Sequence, residues 1–244
     1  MPFSQLSSDH IVSTLERLAE RVSDRFPTAS LNHVIKELTG LAKRDRRRTQ
    51  RLSRPYLFLR SGIFLAVGLA LVGLLYVGER VFNWAQASGT SADVFTVFEG
   101  VEAGLNIVIL TAVAIFTLTR VEERLKRSLA LDDLHELRSV AHVIDMHQLT
   151  KDPTALLRLG PSTTSSPMRT MNEFELGRYL DYCAETLSLA GKVAALYAQS
   201  SRDPVVIAAV NDIESLTSNM SAKIWQKIEI VRAAQPPAPV TRAD

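Results

Sequence analysis

Two uncharged apolar runs, Ser61–Gly78 and Ala103–Thr119, constrain this chain more than any other feature. A helix needs roughly 17–25 such residues to cross the hydrocarbon of a bilayer. Each run reaches that length once its flanks are included. The sequence therefore predicts an all-α membrane protein with two spans, near 56–78 and 100–119, joined by a short external loop, 79–99. Buried helices of a soluble protein are the rival reading. They fit less well, because both runs end in the charge pattern of a membrane span.

That pattern is specific. Pro55 suits a first helical turn, Tyr56 and Tyr76 suit the headgroup level, and Arg60 can snorkel outward from the edge of the span. Before the first run stand Lys43, Arg44, Arg46, Arg47, Arg48, Arg51 and Arg54, opposed only by Asp45. After the second stand Arg120, Arg124, Lys126 and Arg127. The loop carries Arg80 against Glu79, Asp93 and Glu99, with Phe82, Trp84, Phe95 and Phe98 placed for the outer interface. Basic flanks stay in the cytoplasm. The expected layout is a multi-pass protein of a bacterial-type inner membrane with both termini cytoplasmic. Met1–Ile11 lacks a basic start joined to an apolar core, so no cleaved signal peptide is expected.

The remaining sequence divides accordingly: residues 1–54 as amino-terminal cytoplasmic helices, 55–120 as a transmembrane hairpin, 121–233 as a cytoplasmic antiparallel helical bundle, and 234–244 as a proline-rich disordered tail. Net charge is only +2, which gives no global nucleic-acid signature. The lone cysteine, Cys183, allows no intramolecular disulfide and suits a reducing compartment.

Helical periodicity runs through the soluble parts. Ile11, Leu15, Leu18 and Val22 form one stripe, with Ser8 and Asp9 as candidate caps, and Pro27 ends it. Leu31, Val34, Leu38 and Leu41 form another after Ser30. These two helices can pair with each other or pack on later ones. Beyond the second span, Leu125, Leu129, Leu134, Leu137, Ala141 and Ile144 extend the pattern as far as Lys151-Asp152-Pro153. Gly160–Pro167 reads as a loop. The clearest heptad is Leu176, Leu180, Cys183, Leu187, Ala190, Ala194 and Tyr197, a coiled-coil-like seam with polar flanks. A last helix opens with Asp203 as cap and Pro204 in its first turn, and buries Val206, Val210, Ile213, Met220, Ile224 and Ile228.

Candidate functional residues are sparse. His135, Arg138, His142 and Asp145 share a helix face, and His147 lies off it. His135, His142, Asp145 and His147 are the candidates for metal binding or pH sensing, a set too sparse for a closed site unless another helix contributes Glu173, Asp181 or Glu185. His135-Glu136 is followed by Ser139 where a zinc protease needs its second histidine. Arg44, Arg46, Arg47, Arg48 and Arg51 are candidates for contact with anionic lipid, worth about 1 kcal/mol each near the surface. No aromatic residues interleave with them, which argues against nucleic acid as a partner. Gly62, Ala66 and Ala70 in the first span, and Gly100 and Gly104 in the second, are candidates for close helix packing, within one chain or between copies. Glu102, Asn106 and Thr117 are candidates for lining a pore. Cys183 reads as a small core residue.

No phosphate loop, Rossmann fingerprint, CxxC or GxSxG is present. No enzyme and no cofactor are expected. In outline the layout is similar to that of bacterial two-span membrane effectors, a likeness of architecture that carries no residues across. The leading expectation is a non-enzymatic membrane protein whose helical bundle binds itself or a cytoplasmic protein, with membrane lipid as the other partner. The alternatives are an oligomeric pore gated by the cytoplasmic helices, and a metal- or pH-responsive sensor.

Overall fold

The computed structural model describes residues 6–52, 57–87, 94–149, 151 and 171–233. Every described element is an α-helix: α1 (Ser8–Arg25), α2 (Leu31–Leu52), α3 (Leu57–Ala87), α4 (Val94–Leu149), α5 (Glu173–Ser200) and α6 (Pro204–Ala233). The expectations for the tail 234–244, for Gly160–Pro167, for Arg54, Pro55 and Tyr56, and for the side chains of Arg46, Arg47, Arg48 and Arg51 lie outside the described residues. The chain divides into two units, Met1–Ser53 with Leu129–Asp244, and Arg54–Ser128.

The first unit is a helical bundle. Its α1 is capped one residue before the expected Ser8 and Asp9: Ser7 Oγ accepts from the His10 N–H at 3.5 Å. Ser8 and Asp9 fall inside the first turn, where Asp9 meets the positive end of the helix. The stripe Ile11, Leu15, Leu18 and Val22 is buried, as are Leu31, Val34, Leu38 and Leu41 of α2. Both alternatives left open for these helices occur, since α1 and α2 pack on each other and each packs on α5. Phe26, in the connection, sets its ring edge-on to Tyr179 at 5.6 Å and Tyr182 at 6.2 Å.

Asn172 opens α5 through a capping box: its Oδ1 accepts from the Glu175 N–H, and Glu175 Oε2 accepts from the Asn172 N–H, both at 2.9 Å. The seam from Leu176 to Tyr197 is buried at every position. Asp203 Oδ1 caps α6 by accepting from the Val205 N–H at 2.9 Å. The buried stripe of α6 is also as expected, with Thr217 and Val231 added. Thr217 fills the gap between Ile213 and Met220, its hydroxyl satisfied by the Ile213 carbonyl at 2.9 Å. It meets α5 at Gly191, where a Cβ would lie 2.9 Å from Thr217 Oγ1. A hydrogen at that position is what permits the close crossing. On α4, Leu134, Leu137, Ala141 and Ile144 join the core, Leu129 is half-buried and Leu125 stays exposed. Leu125 precedes the bundle unit, so the helical pattern continues through it while the bundle core does not.

The second unit holds α3 and the first part of α4. Stretches Leu57–Trp84 and Phe98–Leu149 each contain a window long and apolar enough to cross a membrane, and none of either window is buried. The helices outlast the apolar runs: α3 continues through Glu79 and Arg80 to Ala87, and α4 opens at Val94. Hydropathy marks where charge begins, whereas Glu, Arg, Gln and Ala all sustain a helix. A Cβ at Gly62 would approach Leu118, one at Gly73 Ile107, one at Gly104 Leu74, and one at Gly100 would lie 2.6 Å from Val81 Cγ2. One number of each pair rises as the other falls, so the two segments run in opposite directions.

Candidate functional site

In the bundle, α4 presents its apolar side inward and so turns His135, Arg138 and His142 outward, where all are exposed. Asp145 is half-buried and accepts from Gln148 Nε2 at 2.7 Å. Gln148 is itself buried, and both its side chain and its carbonyl accept from Lys227 Nζ of α6, at 2.5 and 3.3 Å. His147 turns toward the α1–α2 connection, with Nδ1 3.3 Å from Ser30 Oγ. The histidine segment thus points three ways. Among the described residues no three His, Cys, Asp or Glu side chains come together as a metal-binding group.

The bundle interior holds polar contacts that periodicity does not reveal. Asp133 is buried on α4 and accepts from the Tyr197 hydroxyl of α5 at 2.9 Å. A buried carboxylate needs such donors, because desolvation of the charge is otherwise severe. Cys183 is fully buried in the seam, and burial pushes its thiol up to about 12, with Lys151 and Lys227 opposing. It keeps its proton and behaves as core, since only a thiolate is a nucleophile.

Two open clefts mark the bundle surface. One of about 970 Å³ runs between α5 and α6, floored by Ala184, Gly191 and Thr217 and ending at Trp225. Its rim mixes Asp181, Glu185 and Glu214 with Lys192 and Arg232. Arg232 lies over the Trp225 ring at 5.9 Å, and Arg21 of α1 pairs with Glu185 at 2.7 Å. The other cleft, about 410 Å³, brings His147 near Lys151, Glu175 and Tyr179. Burial raises the Tyr179 hydroxyl above the ordinary tyrosine range.

Of the five arginines considered for lipid contact, Arg44 has a described side chain. It pairs with Glu136 of α4 at 2.9 Å, leaving both partners largely exposed.

In the second unit, Gly62, Ala66 and Ala70 of α3 are half-buried, as are Gly100 and Gly104 of α4 among positions facing α3. Glu102, Asn106 and Thr117 lie off that contact, all exposed. Thr117 is satisfied within its own helix, donating to the Val113 carbonyl at 2.8 Å. Thr111 and Thr119 do the same toward Ile107 and Ile115. The Asn106 amide is different, because its carbonyl and NH2 cannot both be served by one helix turn.

Comparison of the chain with protein families, with curated proteins and with solved structures gives no match.

Proposed function

We propose that this chain is a two-span protein of the inner membrane without enzymatic chemistry. A transmembrane hairpin of α3 and the first part of α4 anchors a cytoplasmic antiparallel bundle, which binds a second copy or a protein partner. One observation carries the reading: two long helices expose Leu, Phe and Val on every side but the one where they meet each other, while the rest of the chain closes a core of its own. Water would penalise that exposed surface at roughly 25 cal/mol per Å², and hydrocarbon would not. Basic residues flank both runs, which favours cytoplasmic termini. The open α5–α6 cleft and the exposed Val143, Met146 and Leu149 of α4 offer the bundle surface for a partner.

A second reading, an oligomeric pore, draws on the outward position of Glu102 and Asn106. Metal sensing has no ligand cluster among the described residues to draw on.

The test is alkaline carbonate extraction of membranes carrying the full chain, with tags on both termini probed by external protease. The expected protein stays in the pellet with both tags protected. Release into the supernatant, or digestion of either tag from outside, defeats the reading. Light scattering in detergent then separates the two readings, because a pore of two-span subunits requires a discrete higher oligomer.

A further inference from the structure

We infer that the outward face of α4 around Asn106 is a contact surface for a second copy of this chain within the membrane. The inference rests on the two-span reading above. Asn106 lies four residues inside Glu102, about 6 Å along the helix, and its side chain is exposed. Neighbouring positions on the same face, Ile109 and Val113, are exposed as well, at 49% and 57%. The face of α3 that also points outward differs. It carries Phe64, Leu65, Leu71, Val72 and Leu75, and its Ser61 hydroxyl is satisfied by the Phe58 carbonyl at 2.7 Å. Lipid alone therefore suits α3, whereas on α4 it would leave an amide without partners in hydrocarbon.

The occupant follows from the chemistry of the amide. Asn106 offers an acceptor oxygen and two donors, so two copies of the same group can exchange a pair of N–H···O bonds across a symmetry axis, each keeping its second N–H for a carbonyl of its own helix. A partner carrying only donors or only acceptors would leave half of it unserved. The α3 helix of the same chain is already engaged on another side of α4, through Gly62, Gly73, Gly100 and Gly104. Glu102, one turn nearer the loop, would then sit where the paired helices meet the headgroups.

The experiment is oxidative cross-linking in native membranes. Val113→Cys places a thiol on the inferred surface, and Leu65→Cys places one on the outward face of α3 at a matching level. The unaltered chain supplies the background, which is low because Cys183 is fully buried in the bundle. Val113→Cys is expected to link copies well above that background and Leu65→Cys is not. Adding Asn106→Leu lowers the linked fraction about three- to tenfold, while Asn106→Gln keeps it near the parent level. Equal linking through both cysteines, or no effect of Asn106→Leu, overturns the inference. Carbonate extraction of the same samples separates causes. A released protein defeats the two-span reading and this surface with it, whereas a retained protein that fails to link defeats this surface alone.

Discussion

Helices α3 and α5 are close in length, 31 and 28 residues, and both are rich in Leu and Ala. Helix α5 buries Leu180, Leu187 and Ala194 completely. Helix α3 leaves Phe64 and Leu75 exposed at 72% and 73%. The difference lies in what separates the apolar residues. In α5, Asp181, Glu185 and Lys192 interrupt the seam and fix which side faces water. Between Ser61 and Gly78 nothing charged interrupts α3, so no side is reserved for water. A stripe specifies a protein partner. All-round apolarity specifies a solvent, and the only side α3 gives to protein is the one where Gly62 and Gly73 admit α4.

The largest effect that tests this contrast is truncation of one leucine on each helix. Leu187→Ala removes a fully buried side chain from the bundle and is expected to cost about 2–5 kcal/mol. Leu65→Ala removes one that is 65% exposed and is expected to shift bundle stability by less than about 0.5 kcal/mol. Urea unfolding of the full chain in detergent micelles, followed by circular dichroism, gives both values. Comparable losses would mean that α3 is packed in protein on its outward side, and the contrast would collapse.

A smaller effect separates the two regions by pH. Burial in the seam pushes the Cys183 thiol up to about 12, while in the unfolded chain the group loses its proton near its ordinary value of about 8.5. The folded state therefore holds a proton that the unfolded state releases. That contribution is complete below the unfolded value and is lost as pH rises toward the folded one, with a slope of about 1.4 kcal/mol per pH unit. Tyr179, also raised by burial, adds to the same alkaline loss at higher pH. The urea midpoint of the bundle should fall between about pH 9 and 10.5, and Cys183→Ala should flatten that fall. Equal slopes in the two proteins would show that Cys183 is wetter than its place in the seam implies. Helix α3 and the first part of α4 contain no cysteine and contribute nothing to this difference.

Periodicity makes the stripes of α1, α2, α5 and α6 legible in the sequence, because a one-sided apolar repeat leaves little choice of face. It could not show Thr217 in the α6 stripe, since a threonine reads as polar until its hydroxyl is seen to bond the Ile213 carbonyl. Nor could it show Asp133 beside Tyr197, a pairing across 64 positions of sequence. A repeat names the buried face of each helix and says nothing of which faces meet. The Asn172–Glu175 capping box was readable in principle from its spacing, yet it adjoins a stretch where no apolar repeat draws attention. The candidate site was less legible still. His135, His142, Asp145 and His147 share a short segment, but side chains on successive turns part company once the apolar side of α4 is fixed by the core. Asn106 was conspicuous from its apolar surroundings alone, whereas its outward position needed the geometry of the α3–α4 contact.

The smallest effect addresses the basic stretch between the two regions. Arg44 belongs by sequence to a run suited to lipid, yet its guanidinium pairs with Glu136 at 2.9 Å, with side-chain exposures of 57% and 42%. Exposed pairs of this kind contribute about 0.2–1 kcal/mol, and less at high salt. A double-mutant cycle with Arg44→Ala and Glu136→Ala should return a coupling in that range that shrinks as salt is raised. Binding of the same proteins to vesicles containing anionic lipid gives the opposing measurement. A coupling of zero, together with vesicle binding lost in Arg44→Ala and kept in Glu136→Ala, would hand Arg44 to the membrane. A measurable coupling with vesicle binding intact in both would assign it to the bundle, and the boundary between protein-facing and lipid-facing chemistry would then fall after Arg44 in the sequence.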